Sequence, residues 1–468
     1  MNTGARSSRA HASKSGAWYE RRMTALGDEC APSFGDLMNN NVERRNFIKH
    51  SLATGIVAAA SGSRILGAND RIRIGAIGLG RQGRGLISIF MKNQDVEIVA
   101  FCDVFEPQIA QTISETRLNG VQTYKDFRQV LERKDVDAVI VATPDHWHAL
   151  NTVMACQAGK DVYVEKPVSV TVVEGRRMVE AARRHSRIVQ VGTQQRSGDH
   201  YQKAAEVIRG GQIGKVTYVR SWNFGNQAPD GIGNPPDSDP PPGLDWDMWL
   251  GPANKVPFNA NRFGVHPDRY SSFRYFWDYA GGMMTDWGVH HIDIIQMIME
   301  VNAPLAITAM GSKYGLRDNR ETPDTLSVSY EYPGFISTYE NRECNGQSLN
   351  GRGYGIAFHG TEATLLINRE AYEIVPERER KGGALSRVEN RNKQGETHIR
   401  NFLDCVKSRK SPTSDIEIGH RSTSTSLLGN VALRSQRRIV WNGKTEKIEG
   451  DQTGAKFLSR EYRKPWKL

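Results

Sequence analysis

Cysteine is scarce in this sequence, and its spacing lacks any pair of the kind that binds metal or exchanges disulfides. The 468 residues include five cysteines, namely Cys30, Cys102, Cys156, Cys344 and Cys405. None is separated from another by two residues, so the spacing excludes a zinc-ribbon or thioredoxin-type motif. Because Cys102 and Cys156 lie in apolar segments, we expect buried free thiols, and we predict no metal site.

Long hydrophobic runs and long blocks of positive charge are also missing. The mildly apolar run 52–60 is far shorter than the roughly 20 residues that cross a bilayer as a helix, so we expect no membrane insertion. The net charge is +10, but the lysines and arginines beyond residue 68 are spread out. This distribution argues against a nucleic-acid partner. The apolar fraction of 38% is sufficient for buried cores.

Residues 1–68 have the layout of an N-terminal leader. A positively charged stretch begins at Arg44 and Arg45, the apolar run follows, and the run ends on three alanines suited to a signal peptidase. The paired arginines, with Phe47 and Lys49, resemble a twin-arginine signal. That resemblance implies export of the folded chain, and we expect a periplasmic protein. The alternative is an amphipathic helix that stays on the protein.

The position of this leader raises a second expectation. Export signals normally begin near the initiator methionine, whereas this one begins well inside the chain. Residues 1–37 are rich in Ser, Ala and Arg and lack apolar periodicity. We therefore expect translation to start at Met38 and residues 1–37 to be a mis-called start.

Beyond the leader, strand and helix patterns alternate. Apolar and β-branched runs predict strands at 71–77, 96–102, 136–142, 161–164 and 188–191. Helical periodicity occupies roughly 146–158 and 171–185. Alternation of this kind predicts an α/β fold with a doubly wound parallel sheet. The roughly 400 residues after the leader are enough for two domains.

A glycine-rich turn follows the first predicted strand and opens a helix. It comprises Gly78, Leu79, Gly80, Arg81, Gln82 and Gly83. The glycines permit a tight turn, close approach to a pyrophosphate and close helix–strand packing. Asp103 ends the second strand, where a carboxylate can bind both ribose hydroxyls and repel a 2′-phosphate. We therefore predict NAD binding, with NADP disfavoured; the alternative is glycines that serve only a turn.

Three further segments resemble the sequence signatures of one protein family. ATPDHWHAL (142–150), AGKDVYVEKP (158–167) and AGGMMTDWGVHHID (280–293) resemble signatures of the Gfo/Idh/MocA family, which includes glucose-fructose oxidoreductase and inositol dehydrogenase. The resemblance implies a Rossmann NAD-binding domain over 69–193 and a substrate-binding α/β domain with a large open mixed sheet over 194–468. We expect the C-terminal helices to pack back on the Rossmann domain, and the chain to form a homodimer or homotetramer.

Polar residues follow the carboxyl ends of the predicted strands, where an open parallel sheet binds ligands. We assign Thr143, Pro144, Glu165 and Lys166 to this edge of the sheet and expect them to bind the cofactor. By resemblance, Lys166 is the catalytic lysine that binds a substrate hydroxyl and stabilises the alkoxide formed as hydride leaves. An exposed lysine at a strand end, without a catalytic role, is the alternative.

Asp286, His290 and Asp293 are spaced to share one face of a helix that is otherwise apolar. Three polar groups on a buried stripe must be satisfied or used. The resemblance maps Asp286 and His290 onto a catalytic pair, with His290 as the base and Asp286 orienting it or binding substrate. For Asp293 a substrate contact and a structural hydrogen bond remain open.

Asp145, His146 and His148 form a cluster of possible metal ligands within four consecutive positions. Such a cluster can bind zinc, but it opens a helix beside the expected nicotinamide. We therefore interpret Asp145 as the helix cap and His146 and His148 as lining the cofactor or substrate pocket.

Several other residues are candidates for the substrate pocket. Gln195, Arg196 and Trp277 are assigned to it. Scattered aromatic residues can stack on sugars or fill a core; those between 218 and 279 are Trp222, Trp246, Trp249, Tyr275 and Trp277.

Together these features predict an NAD-dependent oxidoreductase acting on a sugar, glycoside or cyclitol. Free NAD is scarce outside the cell, so an exported enzyme would carry tightly bound cofactor and regenerate it in place. One alternative is a redox-neutral NAD-dependent glycosidase, but the resemblance implies that those glycosidases lack the lysine found here as Lys166. Another alternative is a non-catalytic binding protein, which an intact Lys166, Asp286 and His290 argue against.

Overall fold

A computed structural model of the chain describes residues 71–265, 271–377 and 386–468. The predicted leader over residues 1–68, its twin-arginine-type signal and the expected start at Met38 lie outside the described residues.

The first domain is built on six parallel strands. They are β1 (Ile72–Ile77), β2 (Val96–Cys102), β3 (Gln122–Tyr124), β4 (Ala138–Val141), β5 (Asp161–Val164) and β6 (Val189–Val191). Their order across the sheet is β3-β2-β1-β4-β5-β6. The central strands are apolar throughout because helices cover both faces of a doubly wound sheet. This is the strand order of dinucleotide-binding folds, and it confirms the predicted fold class.

Five helices connect these strands. They are α1 (Arg81–Phe90), α2 (Glu106–Thr116), α3 (Phe127–Glu132), α4 (Asp145–Gln157) and α5 (Val172–Arg184). The last of them starts with a capping box, in which the Thr171 hydroxyl accepts from the Glu174 N–H and the Glu174 carboxylate accepts from the Thr171 N–H. The predicted strand 136–142 is shorter at both ends than expected, because only Ala138–Val141 pairs with its neighbours.

The second domain contributes the remaining strands. They are β7 (Val216–Phe224), β8 (Asp237–Ser238), β9 (Phe258–Asn259), β10 (Ala306–Ser312), β11 (Thr325–Tyr332), β12 (Phe335–Arg342), β13 (Tyr354–Gly360), β14 (Ala363–Ile367), β15 (Ala371–Pro376), β16 (Ser386–Glu389), β17 (Ile439–Asn442) and β18 (Lys447–Glu449). Ten of them form one sheet in the order β16-β15-β14-β13-β7-β12-β11-β10-β17-β18. The β7–β12 pair is parallel and its neighbours are antiparallel. A large mixed sheet was predicted, and it is confirmed.

The helices of this half follow the same chain order. They are α6 (Asp199–Arg209), α7 (Trp246–Leu250), α8 (Ala260–Phe263), α9 (Gly282–Asp286), α10 (Gly288–Met299), α11 (Gln394–Ser408) and α12 (Ile416–Ser435). Short 3-10 turns occupy Gln194–Ser197, Ser272–Tyr275 and Gln452–Phe457. Across the described ranges, no helix combines the length and apolar character needed to cross a bilayer.

One face of the large sheet is covered by helices α6, α10 and α12. Ala204, Ile295 and Leu428 from these helices share a core with Val219 and Val328 of the strands. Burying each of the Val, Ile and Leu side chains among them stabilises the fold by about 1.5–3 kcal/mol.

The C-terminal helices also contact the first domain. Ile416, at the start of α12, lies in the Rossmann core beside Val191, whereas Leu428 belongs to the core of the large sheet. On α11, the Phe402 ring contacts the rings of Phe90 and Tyr163 edge-on. These two helices therefore pack the second domain against the Rossmann domain.

A half-buried arginine in the C-terminal tail links the tail to both domains. Arg460 donates from Nε to Glu174 Oε1 at 2.7 Å, and its terminal nitrogens donate to the carbonyl oxygens of His146 and Asp278 at 3.0 Å each. The guanidinium therefore joins α4, α5 and the segment that precedes α9.

Replacing Arg460 with Ala should lower the free energy of unfolding by about 3 kcal/mol, because Glu174 keeps a buried charge without its partner. Urea unfolding followed by fluorescence measures this change. The matched control is Arg438→Ala, which removes an ion pair with Glu331 whose side chains are 54% and 53% exposed; it should cost less than about 1 kcal/mol. Equal losses in both variants would contradict the structural role of Arg460.

The cysteines of the described ranges are all free. Cys102, Cys156 and Cys405 are buried, and Cys344 is half-buried. Buried free thiols were expected for the first two.

Candidate functional site

The glycine-rich turn between β1 and α1 has the geometry of a pyrophosphate cradle. Gly78 has φ +88, and a Cβ there would lie 2.6 Å from the Ala142 carbonyl carbon. A Cβ on Gly83 would lie 2.0 Å from Gly78 O, whereas one on Gly80 would meet nothing within 4 Å. The first and third glycines are therefore required by the fold itself. Gly80 leaves open space beside the helix N-terminus, which suits a bound anion.

The other residues of the turn divide between core and surface. The Leu79 side chain is fully buried, so this residue can offer a cofactor only its backbone. Arg81 and Gln82 are exposed on the first turn of α1. Gln82 donates from Nε2 to Glu165 Oε1 at 2.8 Å, which ties the turn to the end of β5.

Asp103 lies beside this turn at the end of β2. Its two carboxylate oxygens accept from the backbone N–H groups of Leu79 at 2.7 Å and Phe105 at 2.9 Å. Burial raises the pKa of Asp103 to about 6, and the two N–H groups and Arg84 oppose that rise. A carboxylate at this place can accept hydrogen bonds from ribose hydroxyls, so the residues present fit a nicotinamide dinucleotide.

His148 contacts two loops at the carboxyl edge of the parallel sheet. Its Nε2 lies 2.9 Å from the Thr143 carbonyl oxygen and its Nδ1 lies 2.7 Å from that of Pro167. The ring therefore lies between the loops after β4 and β5. Burial lowers the pKa of His148, and a neutral imidazole has one N–H to donate to one of these two carbonyl oxygens.

Two predictions about the start of α4 are corrected. Pro144 occupies the cap position, and Asp145 is the first residue of the helix rather than its cap. His146 does not line an open pocket, because its ring packs against Trp249 and Tyr279 and its Nε2 lies 3.0 Å from the Trp249 carbonyl oxygen. Burial lowers its pKa to about 3.

Lys166 and Asp286 meet at the boundary of the two domains. Lys166 Nζ lies 2.7 Å from Asp286 Oδ1 and 3.0 Å from Asp286 O, and the two side chains are 11% and 3% exposed. Arg274 Nε donates to the same Oδ1 at 3.0 Å. A lysine carries three N–H donors, and Asp286 engages two of those of Lys166.

Asp145 belongs to the same charged cluster. Burial raises its pKa to about 7, the Asp286 carboxylate adds to the rise, and Arg274 and Lys166 oppose it. The cluster therefore contains two cations and a second carboxyl group that changes charge near neutral pH.

The predicted single helix through Asp286, His290 and Asp293 is wrong in one respect. Asp286 ends α9, and His290 and Asp293 lie on α10, with the chain passing through Trp287 between them. Trp287 keeps a right-handed helical backbone, and the Asp286 carboxylate and Lys166 both act on the charge of His290.

His290 is held neutral in this site. Burial lowers its pKa well below the usual range, and the positive charges of Lys166 and Arg369 lower it further, against the opposing effect of Asp286. Its Nδ1 is buried and has no hydrogen-bond partner among the described residues. The imidazole is therefore neutral, and one of its two ring nitrogens carries no proton.

Two predicted substrate residues bind each other instead. Arg196 donates from Nε to Asp293 Oδ1 at 2.8 Å, and both side chains are largely buried. This favours the structural role that was left open for Asp293. Gln195 donates to the Tyr201 hydroxyl at 3.1 Å, while its side-chain oxygen is buried without a partner in the part of the chain that the structure describes.

The aromatic residues of segment 218–279 mostly form the core. Trp222, Trp249 and Tyr275 are buried. Trp277 is half-buried. The Arg434 guanidinium lies 4.9 Å from its ring centroid, and the backbone N–H of Trp277 donates to the Glu321 carboxylate.

Sequence reasoning missed three residues around His290. Arg274 reaches Asp286 from the 3-10 turn Ser272–Tyr275, and Arg369 and Tyr354 come from the β13–β15 region of the large sheet. The Arg369 guanidinium lies 4.6 Å from the Trp287 ring centroid, and the Tyr354 ring lies 4.9 Å from it. No local pattern marks these residues, because tertiary folding alone brings them here.

A metal site has no support in the described ranges. No group of three or more His, Cys, Asp or Glu side chains there is arranged to hold a metal ion.

Comparison with known proteins gives two family matches. Residues 72–193 match the family GFO_IDH_MocA, described as an oxidoreductase family with an NAD-binding Rossmann fold. Residues 213–334 match GFO_IDH_MocA_C2, the C-terminal alpha/beta domain of that oxidoreductase family.

Among curated proteins, this chain is similar to two kinds of relative. One is a 1-carboxy-3-chloro-3,4-dihydroxycyclohexa-1,5-diene dehydrogenase from Comamonas testosteroni, 32% identical over 33% of this chain and 38% of the relative. The other is a glycosyl hydrolase family 109 protein from Shewanella baltica (strain OS195), 28% identical over 38% of this chain and 45% of the relative. The matched regions span less than half of either relative.

Among solved structures, the fold is similar to that of a levoglucosan dehydrogenase in complex with NADH and levoglucosan. The TM-score is 0.61 at 16% sequence identity, over 79% of this chain and 99% of that one.

Proposed function

Since this chain belongs to the Gfo/Idh/MocA oxidoreductase family, we propose that it transfers hydride between NAD and a hydroxyl or keto group of a sugar, glycoside or cyclitol. The observation that carries the proposal is the largely buried Lys166–Asp286 pair, 2.7 Å apart, with a neutral His290 at the carboxyl edge of the parallel sheet. A lysine and a base at that edge are what oxidation of an alcohol requires.

The chain supplies two groups for this chemistry. Lys166 keeps one N–H donor that Asp286 does not engage, and this donor binds the substrate oxygen and stabilises the negative charge that develops on it. His290, neutral and buried, takes the hydroxyl proton. NAD, when bound, supplies the hydride acceptor. Asp286 and Arg274 hold Lys166 in place, and the close packing of the two domains keeps water from the pair.

The cofactor would be held by the turn Gly78–Gly83, by Asp103 and by the edge residues Thr143, Pro144 and Glu165. Glu165 would position the cofactor site rather than bind the cofactor, because its carboxylate accepts from the Gln82 side chain and from the backbone N–H of Lys166. The Asp103 carboxylate favours NAD over NADP, since a 2′-phosphate placed there would meet a negative charge.

Affinity for NADH should fall as the pH drops through about 6, because protonated Asp103 no longer accepts from both ribose hydroxyls. Replacing Asp103 with Asn should weaken NADH binding by roughly 10- to 100-fold and remove this pH dependence. Fluorescence titration with NADH and NADPH, at pH values from about 5 to 8, measures both effects. The account of Asp103 fails if wild-type affinity is flat over that range or if NADPH binds equally well.

Substrate oxidation is tested with wild-type protein, added NAD and a panel of sugars, glycosides and cyclitols. We expect absorbance near 340 nm to rise with at least one of them, since reduced nicotinamide is the product. Similarity to family 109 glycosyl hydrolases supports a second candidate, a redox-neutral glycosidase. Release of the leaving group from an aryl glycoside, with no net NADH, would favour that candidate and refute net oxidation.

We further propose that the protein is exported and works as a homodimer or homotetramer. The twin-arginine-like residues Arg44, Arg45, Phe47 and Lys49 support export. An exported enzyme of this kind needs tightly bound NAD and a second substrate or carrier that reoxidises it. Fractionation of cells that express the chain, with and without Arg44→Lys and Arg45→Lys, tests export, and light scattering tests the oligomeric state.

A further inference from the structure

One cation beside the proposed catalytic pair has no role in the mechanism above. Arg369 lies in the turn between β14 and β15, and its guanidinium carbon is 4.6 Å from the Trp287 ring centroid. Trp287 directly follows Asp286, the residue that holds Lys166. The positive charge of Arg369 also acts on His290 and on His291. The guanidinium is therefore close to the groups that would carry the reaction.

The Arg369 side chain has no carboxylate partner among the described residues. Its Nε is buried without a hydrogen-bond partner in the described ranges, and no carboxylate there forms an ion pair with it. Two other arginines of the same part of the sheet do pair: Arg352 lies 2.7 Å from Glu373, and Arg387 binds the same carboxylate. The neighbouring Glu370 instead accepts from the Tyr354 hydroxyl at 2.6 Å.

The turn that carries Arg369 is firmly held. The Asn368 side-chain oxygen accepts from the N–H groups of Glu370 and Ala371, each at 3.1 Å. The Asn368 carbonyl oxygen lies 2.9 Å from His200 Nε2. Stacking on Trp287 uses the face of the guanidinium and leaves its in-plane N–H donors at the edge. The arginine is therefore preorganised to receive an anion.

We propose that Arg369 binds a carboxylate of the substrate, so that the preferred substrate is a sugar acid of the uronate type rather than a neutral sugar. An uncompensated, partly buried cation is costly, and a substrate carboxylate compensates it with two parallel hydrogen bonds. One guanidinium matches the single charge of a carboxylate better than the double charge of a phosphate. The inference rests on the proposed function for the location of the substrate.

Calorimetric binding to the NADH-loaded protein tests this without requiring turnover. The probes are D-glucuronate and D-galacturonate, their parent sugars D-glucose and D-galactose, and D-glucose 6-phosphate. We expect one uronate to bind at least about tenfold more tightly than its parent sugar, since a hydrogen bond to a charged group contributes at least that much to affinity. Arg369→Gln should remove that preference, and the matched control Arg387→Gln should keep it.

Three results would overturn the inference. They are failure of both uronates to bind more tightly than their parents, a uronate preference that survives in Arg369→Gln, and tighter binding of glucose 6-phosphate than of either uronate. A uronate that binds through Arg369 but produces no NADH supports the inference and refutes the proposed function instead.

Discussion

Replacing Lys166 with Ala is expected to lower kcat by roughly 10²- to 10³-fold while the protein still binds NAD. The size follows from the loss of a buried donor to the developing alkoxide, an electrostatic contribution of that order in other enzymes. Cofactor binding should change little, because the turn Gly78–Gly83 and Asp103 make the main contacts assigned to NAD. Absorbance near 340 nm gives the rate and fluorescence titration gives the affinity.

The matched control for Lys166 is Lys203→Ala, since Lys203 lies on α6 with a side chain 45% exposed. It should leave both kcat and NAD affinity unchanged. Arg274 still contacts Asp286 in the Lys166 variant, so we expect the fold to persist, and circular dichroism checks this. A Lys166→Ala protein with normal turnover would show that the lysine is not catalytic.

Replacing Gly80 with Val should abolish dinucleotide binding without destabilising the protein. A Cβ at Gly80 meets no atom within 4 Å, so the folded chain has room for the side chain. That same space is where we place the pyrophosphate, and an isopropyl group there would exclude it. We expect NADH affinity to fall by at least about 100-fold, since a contact between the helix N-terminus and the phosphates is lost. The melting temperature without cofactor should stay the same.

Gly83→Ala provides the opposite control in the same turn. A Cβ there would lie 2.0 Å from Gly78 O, so the backbone must shift and stability should fall by about 1–3 kcal/mol. If Gly80→Val bound NADH normally, or lost as much stability as Gly83→Ala, the cofactor position proposed here would be wrong.

Much of the first domain could be predicted from sequence because its strands are buried on both faces. The strand 96–102 and the strand 161–164 have the predicted bounds, since an apolar run in a parallel sheet ends where the buried region ends. The glycine turn was also predictable, because it lies between a strand and a helix; the structure leaves no room for a Cβ at Gly78 or Gly83.

The candidate site was only partly predictable, because most of its geometry is non-local. The spacing of Asp286 and His290 indicated one face, but it could not show that the helix is divided near Trp287. Asp145 was interpreted as a cap, whereas the fold places it near Lys166 and Arg274. Arg369 arrives from a turn of the large sheet about 80 positions from His290, and such contacts leave no periodic signal.

The most direct test of the central claim uses the mature protein after exhaustive dialysis, with no cofactor added, mixed with the sugar, glycoside and cyclitol panel. We predict a rise in absorbance near 340 nm of about one NADH per chain with the true substrate, because bound NAD would accept the hydride in place. A rise that appears only with added NAD would contradict tight cofactor binding. No rise with any compound, with or without added NAD, would contradict the proposed oxidoreductase function itself.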